Sequence, residues 1–443
     1  MSLRTLLLLL CSTMISYSCY VRAEQNPYAR YVEAGFSVID RWALHDTPDQ
    51  ELFEGAMRGM IGVLRTHHDE HSLFVDERQH DAFREDLSQE FGGVGVRISR
   101  LGDPPLLTVL GPPEPGTPAF NADIRSGDRI LEIDGAPTED LEMRDVLEAM
   151  RGKTGEPITL AILHQGDTEP VDVMLVRAVI TVESILGDLR GEDNKWQFQL
   201  PQEPRIGYLR ITKFGDKTEA EVARILAQLS ARGTEALILD LRDNYGGTLD
   251  AAIGISDLFL RAGLPIVTTQ GRDRVPRDRH VSKGTGGYTD IPLVVLVNHE
   301  SASASEILAA CLQDYRRAVV IGERSYGKGT VQRVIRIESG RSLLKLTTAT
   351  YWRPNGKNIH RMHDAQPADE WGVSPDPGFE VKLDEQEYLN WRKYRSRRDL
   401  LGFDQSTLIE EIVQEDGPLP DGFTDRVLDR AVDWFRSQLD NHL

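Results

Sequence analysis

Cysteine is nearly absent: the 443 residues carry only Cys11, Cys19 and Cys311. If the first two leave with a leader, a single thiol remains and no internal disulfide can form. That suits a compartment where disulfides are permitted but not required. A basic excess is missing as well. The 70 acidic side chains outnumber the 51 Lys and Arg, for a net charge of -19. Phosphate backbones are bound by clustered cations, so nucleic acid is excluded as a partner. No apolar run reaches the ~20 residues that a membrane-spanning helix needs. The nearest is Leu6 to Leu10, preceded by Arg4, continuing raggedly to Val21 and interrupted by Ser12, Ser16 and Ser18. With small residues closing it at Val21-Arg22-Ala23, this segment reads as an export signal over 1–23, cleaved before Glu24. The expected destination is the periplasm; an uncleaved anchor facing the periplasm is the alternative. Internal repeats and low-complexity tracts are also lacking.

What is present is a soluble, globular balance, 40% apolar and 27% charged, in a chain long enough for several modules. Residues 24–90 read as helical, with apolar positions at three and four spacing through Tyr31, Phe36, Ile39 and Trp42. Residues 91–178 change to short strands. Phe91-Gly92-Gly93-Val94-Gly95-Val96 is a glycine turn running into an alternating strand, Asp134-Gly135 is a hairpin signal, and Met143 to Met150 is helical. Such a small barrel, with a sheet edge beside a glycine loop, can take a peptide as an added strand and hold its carboxylate on backbone N–H groups. Gly93, Val94, Gly95 and Val96 are the candidates for that role. From 179 to 383 strands and helices alternate, implying a layered α/β core. The tail, 384–443, is helical and charged, and its Arg392-Lys393-Tyr394-Arg395-Ser396-Arg397-Arg398 run reads as a solvated helix face.

Three segments carry chemistry. In Asn298-His299-Glu300-Ser301-Ala302-Ser303-Ala304-Ser305-Glu306, a strand runs into a helix, and a serine there meets free N–H groups and a positive dipole end. A capping box, Ser303-Ala304-Ser305-Glu306, explains the same residues and comes first on this segment alone. Gly322-Glu323-Arg324-Ser325-Tyr326-Gly327-Lys328-Gly329 nearly matches a phosphate loop. Yet the next residues, Thr330 to Ile337, are β-branched and alternating, whereas a phosphate loop must open a helix. Lys328 remains, flanked by glycines, with Gln332 four positions on. A buried lysine loses its charge readily, and a neutral amine can deprotonate a serine. Third, Leu241-Arg242-Asp243-Asn244-Tyr245-Gly246-Gly247 ends a strand in bare backbone N–H groups, which becomes relevant only beside a nucleophile. His67-His68-Asp69-Glu70-His71 could suggest a metal, but lacks further ligands at the right spacing.

Taken together, these motifs resemble the C-terminal processing (tail-specific) serine proteases with an embedded PDZ domain. The resemblance runs to about residue 380 and includes Asp69-Glu70-His71-Ser72 and Arg151-Gly152-Lys153. It implies a multidomain α/β protein: a layered α/β (crotonase-like) protease core, an inserted PDZ-like β-barrel, and helical N- and C-terminal parts. It implies Ser303 as nucleophile, Lys328 as general base, Gln332 orienting the lysine, and the backbone of Gly246 and Ala304 as oxyanion hole. Neither metal nor other cofactor is expected. The expected partners are protein or peptide substrates with apolar C-terminal tails; a homodimer and a regulatory partner are left open. The competing reading is a catalytically silent, PDZ-type peptide-binding scaffold. Where that family has Ala-Gly-Ile, this chain has Ala122-Asp123-Ile124, an aspartate that can accept left-handed backbone.

Overall fold

A computed structural model describes residues 26–191, 195–400, 410, 412–413 and 417–440. The leader over 1–23, with Cys11 and Cys19, lies outside the described residues. The chain divides into two compact units, residues up to 77 with 333–346, and 78–332 with 347–443.

In the first unit, helix α1 (Pro27–Trp42) starts at Asn26, whose side chain accepts the N–H of Tyr28 at 3.1 Å. None of its residues is buried. Helix α2 (Asp49–Thr66) buries Glu54 and Ile61, and Arg58 bridges Glu54 and Asp76 at 2.7 and 2.6 Å. Strand β1 (Leu73–Val75) pairs antiparallel with residues 343–345. The histidine-rich segment between them is a turn closed by Asp69, whose carboxylate accepts the N–H and hydroxyl of Ser72.

The second unit holds a small antiparallel sheet and a layered core. Residues Glu90–Gly93 pair with Ala178–Thr181, so the chain enters and leaves the small sheet through one two-stranded stem. Beyond the stem, β2 (Ile98–Leu101), β3 (Leu106–Val109), β4 (Arg129–Ile133), β5 (Pro157–Leu163) and β6 (Val171–Val176) form the sheet in the order β2-β3-β4-β5-β6. Helix α3 (Met143–Met150) closes it, with Val146 packed among Leu107, Ile130 and Ile162. Asp123 does adopt left-handed backbone, at φ +59°.

The core is a parallel sheet of β7 (Glu203–Ile211), β8 (Ala236–Asp240), β9 (Leu293–Val297) and β10 (Val319–Gly322), in that spatial order. Every residue of β8 and β9 is buried. Their apolar runs, Ala236 to Leu239 and Leu293 to Val297, are what a parallel strand covered on both faces requires. The covering helices are α4 (Thr218–Ala231), α5 (Leu249–Phe259) and α6 (Ala304–Asp314), and α6 is buried from Ala304 through Leu312. Cys311 lies within it, fully buried as a small hydrophobe. Strand β11 (Thr330–Ile337) comes directly after the Lys328 loop. The tail adds α7 (Glu385–Arg398) and α8 (Arg426–Leu439), the latter packing Val427, Ala431 and Phe435 against Tyr208 and Ile238.

The tail's arginine run is therefore not a solvated face. Arg395 is only 4% exposed and pairs with Asp188 and Asp399, and Arg398 also meets Asp188. A charge run reads the same in sequence whether its partners are water or carboxylates some two hundred positions away.

Candidate active site

The carboxyl edge of the parallel sheet is where chain reversals leave backbone groups bare. Three such reversals converge there: after β8, after β9 and after β10.

The turn after β9 is stitched to the turn after β8 by its serines. Ser301 donates its hydroxyl to the Leu241 carbonyl at 2.8 Å, and Ser305 donates to the Asn244 carbonyl at 2.9 Å. The Ala302 N–H also reaches Asn244, at 2.9 Å. Ser303 stands between them at φ +57° and ψ -111°. An ordinary N-cap sits in the extended region, so this left-handed geometry is strain that a cap does not need. Its N–H donates to the Glu306 carboxylate at 2.8 Å, the return half of the capping box that the sequence suggested.

Gly246 meets this turn at close range. A Cβ there would lie 2.8 Å from Ser303 Cβ and 2.9 Å from Ala304 N, and its φ is +97°, so only glycine fits. In this conformation its N–H donates to Asn244 Oδ1 at 2.8 Å. Asn244 is itself buried and held through the Ile211 carbonyl at 2.6 Å.

Lys328 is half-buried in the loop after β10. Its flanking glycines let the loop lie against another segment: a Cβ at Gly329 would come 2.2 Å from His360 N, and one at Gly327 2.5 Å from Trp371 Cδ1. The loop then opens β11, a strand and not the helix of a phosphate loop. Gln332 donates its amide to Thr330 Oγ1 at 2.9 Å and Thr347 Oγ1 at 3.5 Å.

Sequence reasoning missed several neighbours. Glu306 registered only as a capping residue, yet its buried carboxylate also accepts from Ser325, Gly327 and Lys328. Burial pushes its pKa up to about 7 against the pull of those hydrogen bonds. His360 lies against the Lys328 loop, and burial lowers its pKa. Arg242 is enclosed by Asp240 at 2.6 Å and Asp425 at 2.8 Å, with Trp391 stacked on it at 4.5 Å. Burial works against its charge, and the two carboxylates outweigh that and raise its pKa.

At the peptide-binding candidates, a cavity of 340 Å³ is lined by Gly95 and Val96 together with Arg97, Thr117, Ile180 and Leu186. Gly93 sits in the stem opposite Ala178, and Val94 is buried in the small sheet's core. Among the described residues no cluster of three or more His, Cys, Asp or Glu is placed to hold a metal ion. Nor is any helix there long and apolar enough to cross a membrane.

The chain is similar to known proteins. A model described as peptidase family S41 matches residues 205–377, and one described as a PDZ domain matches 111–163. A carboxy-terminal-processing protease of Bartonella bacilliformis is 34% identical over 405 residues, covering 87% of this chain and 86% of that one. The carboxy-terminal processing protease CtpA of Bacillus subtilis is 32% identical over 321 residues, or 71% of this chain and 63% of that protein's length. Among solved structures, the photosystem II D1 C-terminal processing protease aligns at 26% identity and a TM-score of 0.44, covering 81% and 94%.

Proposed function

Because the chain belongs to peptidase family S41 and is a serine-type C-terminal processing protease with a PDZ domain, we propose that it cuts exported proteins by a Ser303–Lys328 dyad, engaging them by their C-terminal tails. The hydroxyl oxygen of Ser303 attacks the scissile carbonyl while the neutral amine of Lys328 takes its proton. The ammonium then returns that proton to the leaving amine, and water hydrolyses the acyl-enzyme by the same route. Gln332 orients the lysine. The Ala304 N–H, at the open end of α6, and the Gly246 turn receive the oxyanion. A crotonase-like core is supported by the parallel order β7-β8-β9-β10 under its helices.

One observation carries the dyad: a single carboxylate, that of Glu306, accepts the backbone N–H of both Ser303 and Lys328, each at 2.8 Å. Tail engagement rests on the cavity at Gly95 and Val96, with the Arg97 guanidinium available for a terminal carboxylate. Export rests on the leader read over 1–23.

The test is cleavage of an unfolded protein bearing an apolar C-terminal tail by wild type, Ser303→Ala and Lys328→Ala. Hydrolysis is expected in the wild type alone, with each variant down by at least about 1,000-fold. Activity persisting in Ser303→Ala would assign the nucleophile elsewhere. An inert wild type that still binds the tail would favour a silent peptide-binding scaffold.

A further inference from the structure

Glu306 has no exposed surface. Its Oε1 accepts from the Ser325 hydroxyl and the Gly327 N–H, both at 2.6 Å. Its Oε2 accepts from the N–H groups of Ser303 and Lys328, both at 2.8 Å. An ionised carboxylate offers about four lone-pair sites, and here each is filled. The surroundings leave it no alternative position. A Cβ on Gly372 would stand 3.0 Å from Oε1, and Ser325 is itself fixed by the Val373 N–H at 2.8 Å.

A helix cap needs only the bond to Ser303. The three bonds from the loop after β10 are additional to capping, and they come from the segment that carries the base. We propose that Glu306 is a positioning residue for peptide hydrolysis: its carboxylate ties the backbone of Ser303 to that of Lys328 and sets the register between nucleophile and base. This role presupposes the Ser303–Lys328 dyad. Glu306 neither touches substrate nor exchanges a proton with it. Its four donors face inward, and its effect reaches the reacting atoms through the two backbones. By taking the Ser303 N–H, it also leaves the Ala304 N–H as the next donor along the helix end.

Glu306→Gln preserves volume but turns an amide NH2 toward donors, so one of the two pairs must separate. Ser325→Ala is milder: it removes one of the two donors that fix Oε1, so the carboxylate can turn and its Oε2 bonds to the two backbones loosen. Both are compared with wild type, Ser303→Ala and Lys328→Ala for kcat and KM on the tailed substrate, for Kd of an apolar tail peptide, and by thermal melting. For folded Glu306→Gln the expected result is a kcat down at least about 100-fold, with KM and tail Kd within threefold of wild type. For Ser325→Ala the expected fall in kcat is about 3- to 30-fold, again with KM unchanged. If Glu306→Gln does not fold, Ser325→Ala decides. A kcat for Ser325→Ala within twofold of wild type, or for folded Glu306→Gln above a third of it, overturns the proposal. Because those outcomes are read beside inert Ser303→Ala and Lys328→Ala, they leave the dyad standing. Activity in Ser303→Ala would instead remove the dyad on which the clamp depends.

Discussion

At the residue scale, Glu306 places activity and stability in opposition. Burial raises its carboxyl from an ordinary 4.5 to about 7, with the four hydrogen bonds resisting. The folded state therefore holds more protons than the unfolded one between those values, and stability from this group falls as pH rises through the window. The shift corresponds to something on the order of 3 kcal/mol. The ionised form is the one that can receive four donors, so catalysis should gain over the same range. Acidification from pH 7.5 to 5.5 is expected to lower kcat while raising wild-type stability relative to Glu306→Gln. Parallel pH–rate curves and melts of the two proteins check this. Parallel melting curves at every pH would contradict the assignment of the shift. None of this was legible in the sequence beyond a Glu three residues after a Ser, since a cap and a clamp share that spacing. That Ser303 opens a helix and that Lys328 precedes a strand was legible, because strand into helix and loop into strand are short-range features. The left-handed backbone at Ser303 was not, because it is imposed by the turn after β8.

At the element scale, the tail completes the turn that adjoins Ser303. Asp425 starts α8, accepts from Leu428 N–H at 3.1 Å, and holds Arg242 through two bonds of 2.8 Å and Trp391 Nε1 at 3.1 Å. From α7, Tyr388 donates to Asp243 at 2.9 Å. Arg242 and Asp243 lead directly into Asn244 and the Gly246 turn, so two tail helices fix one side of the site. Asp425→Asn leaves a buried guanidinium short of one anion, a loss of roughly 3–5 kcal/mol by analogy with broken buried pairs. The expected result is a lower melting temperature together with reduced kcat, measured on the same preparation. A variant that melts like wild type would show that the tail merely covers the sheet. Helix boundaries such as Met143–Met150 follow from local apolar spacing and were readable in advance. The docking of α7 depends on Asp188, held by Arg395 and Arg398, and on Arg210, held by Asp399, and spacing within a helix says nothing about partners so remote.

At the scale of the whole molecule, the PDZ domain is joined to the chain through one stem, and its Leu101 and Leu110 also pack against Leu400 and Ile412 of the tail. Its chain enters and leaves through the antiparallel stem, where Gly93 faces Ala178. Neighbouring strands lie about 5 Å apart, a gap that a two-residue turn closes. Replacing 94–177 by such a turn should leave a cooperatively folding core whose affinity for an apolar tail peptide is lost. Circular dichroism melts and a peptide titration measure the two outcomes. Retained affinity would move the tail site off the PDZ domain. That an insert existed was readable from the change of pattern at 91 and 178, but Gly93 and Val94 serve stem and core, because an alternating strand does not say which end meets the cavity.

The bond between Arg242 and Asp425 spans 183 positions. A ribosome adding ~5–20 residues each second needs roughly ten to forty seconds to travel that distance. Once Ser303 and then Lys328 have been added within that interval, the nascent chain holds both while the turn beside them still lacks its last anchor. A message cut short before Asp425 would likewise yield a polypeptide that carries Ser303 and Lys328 but leaves Arg242 without the anchor that holds the neighbouring turn.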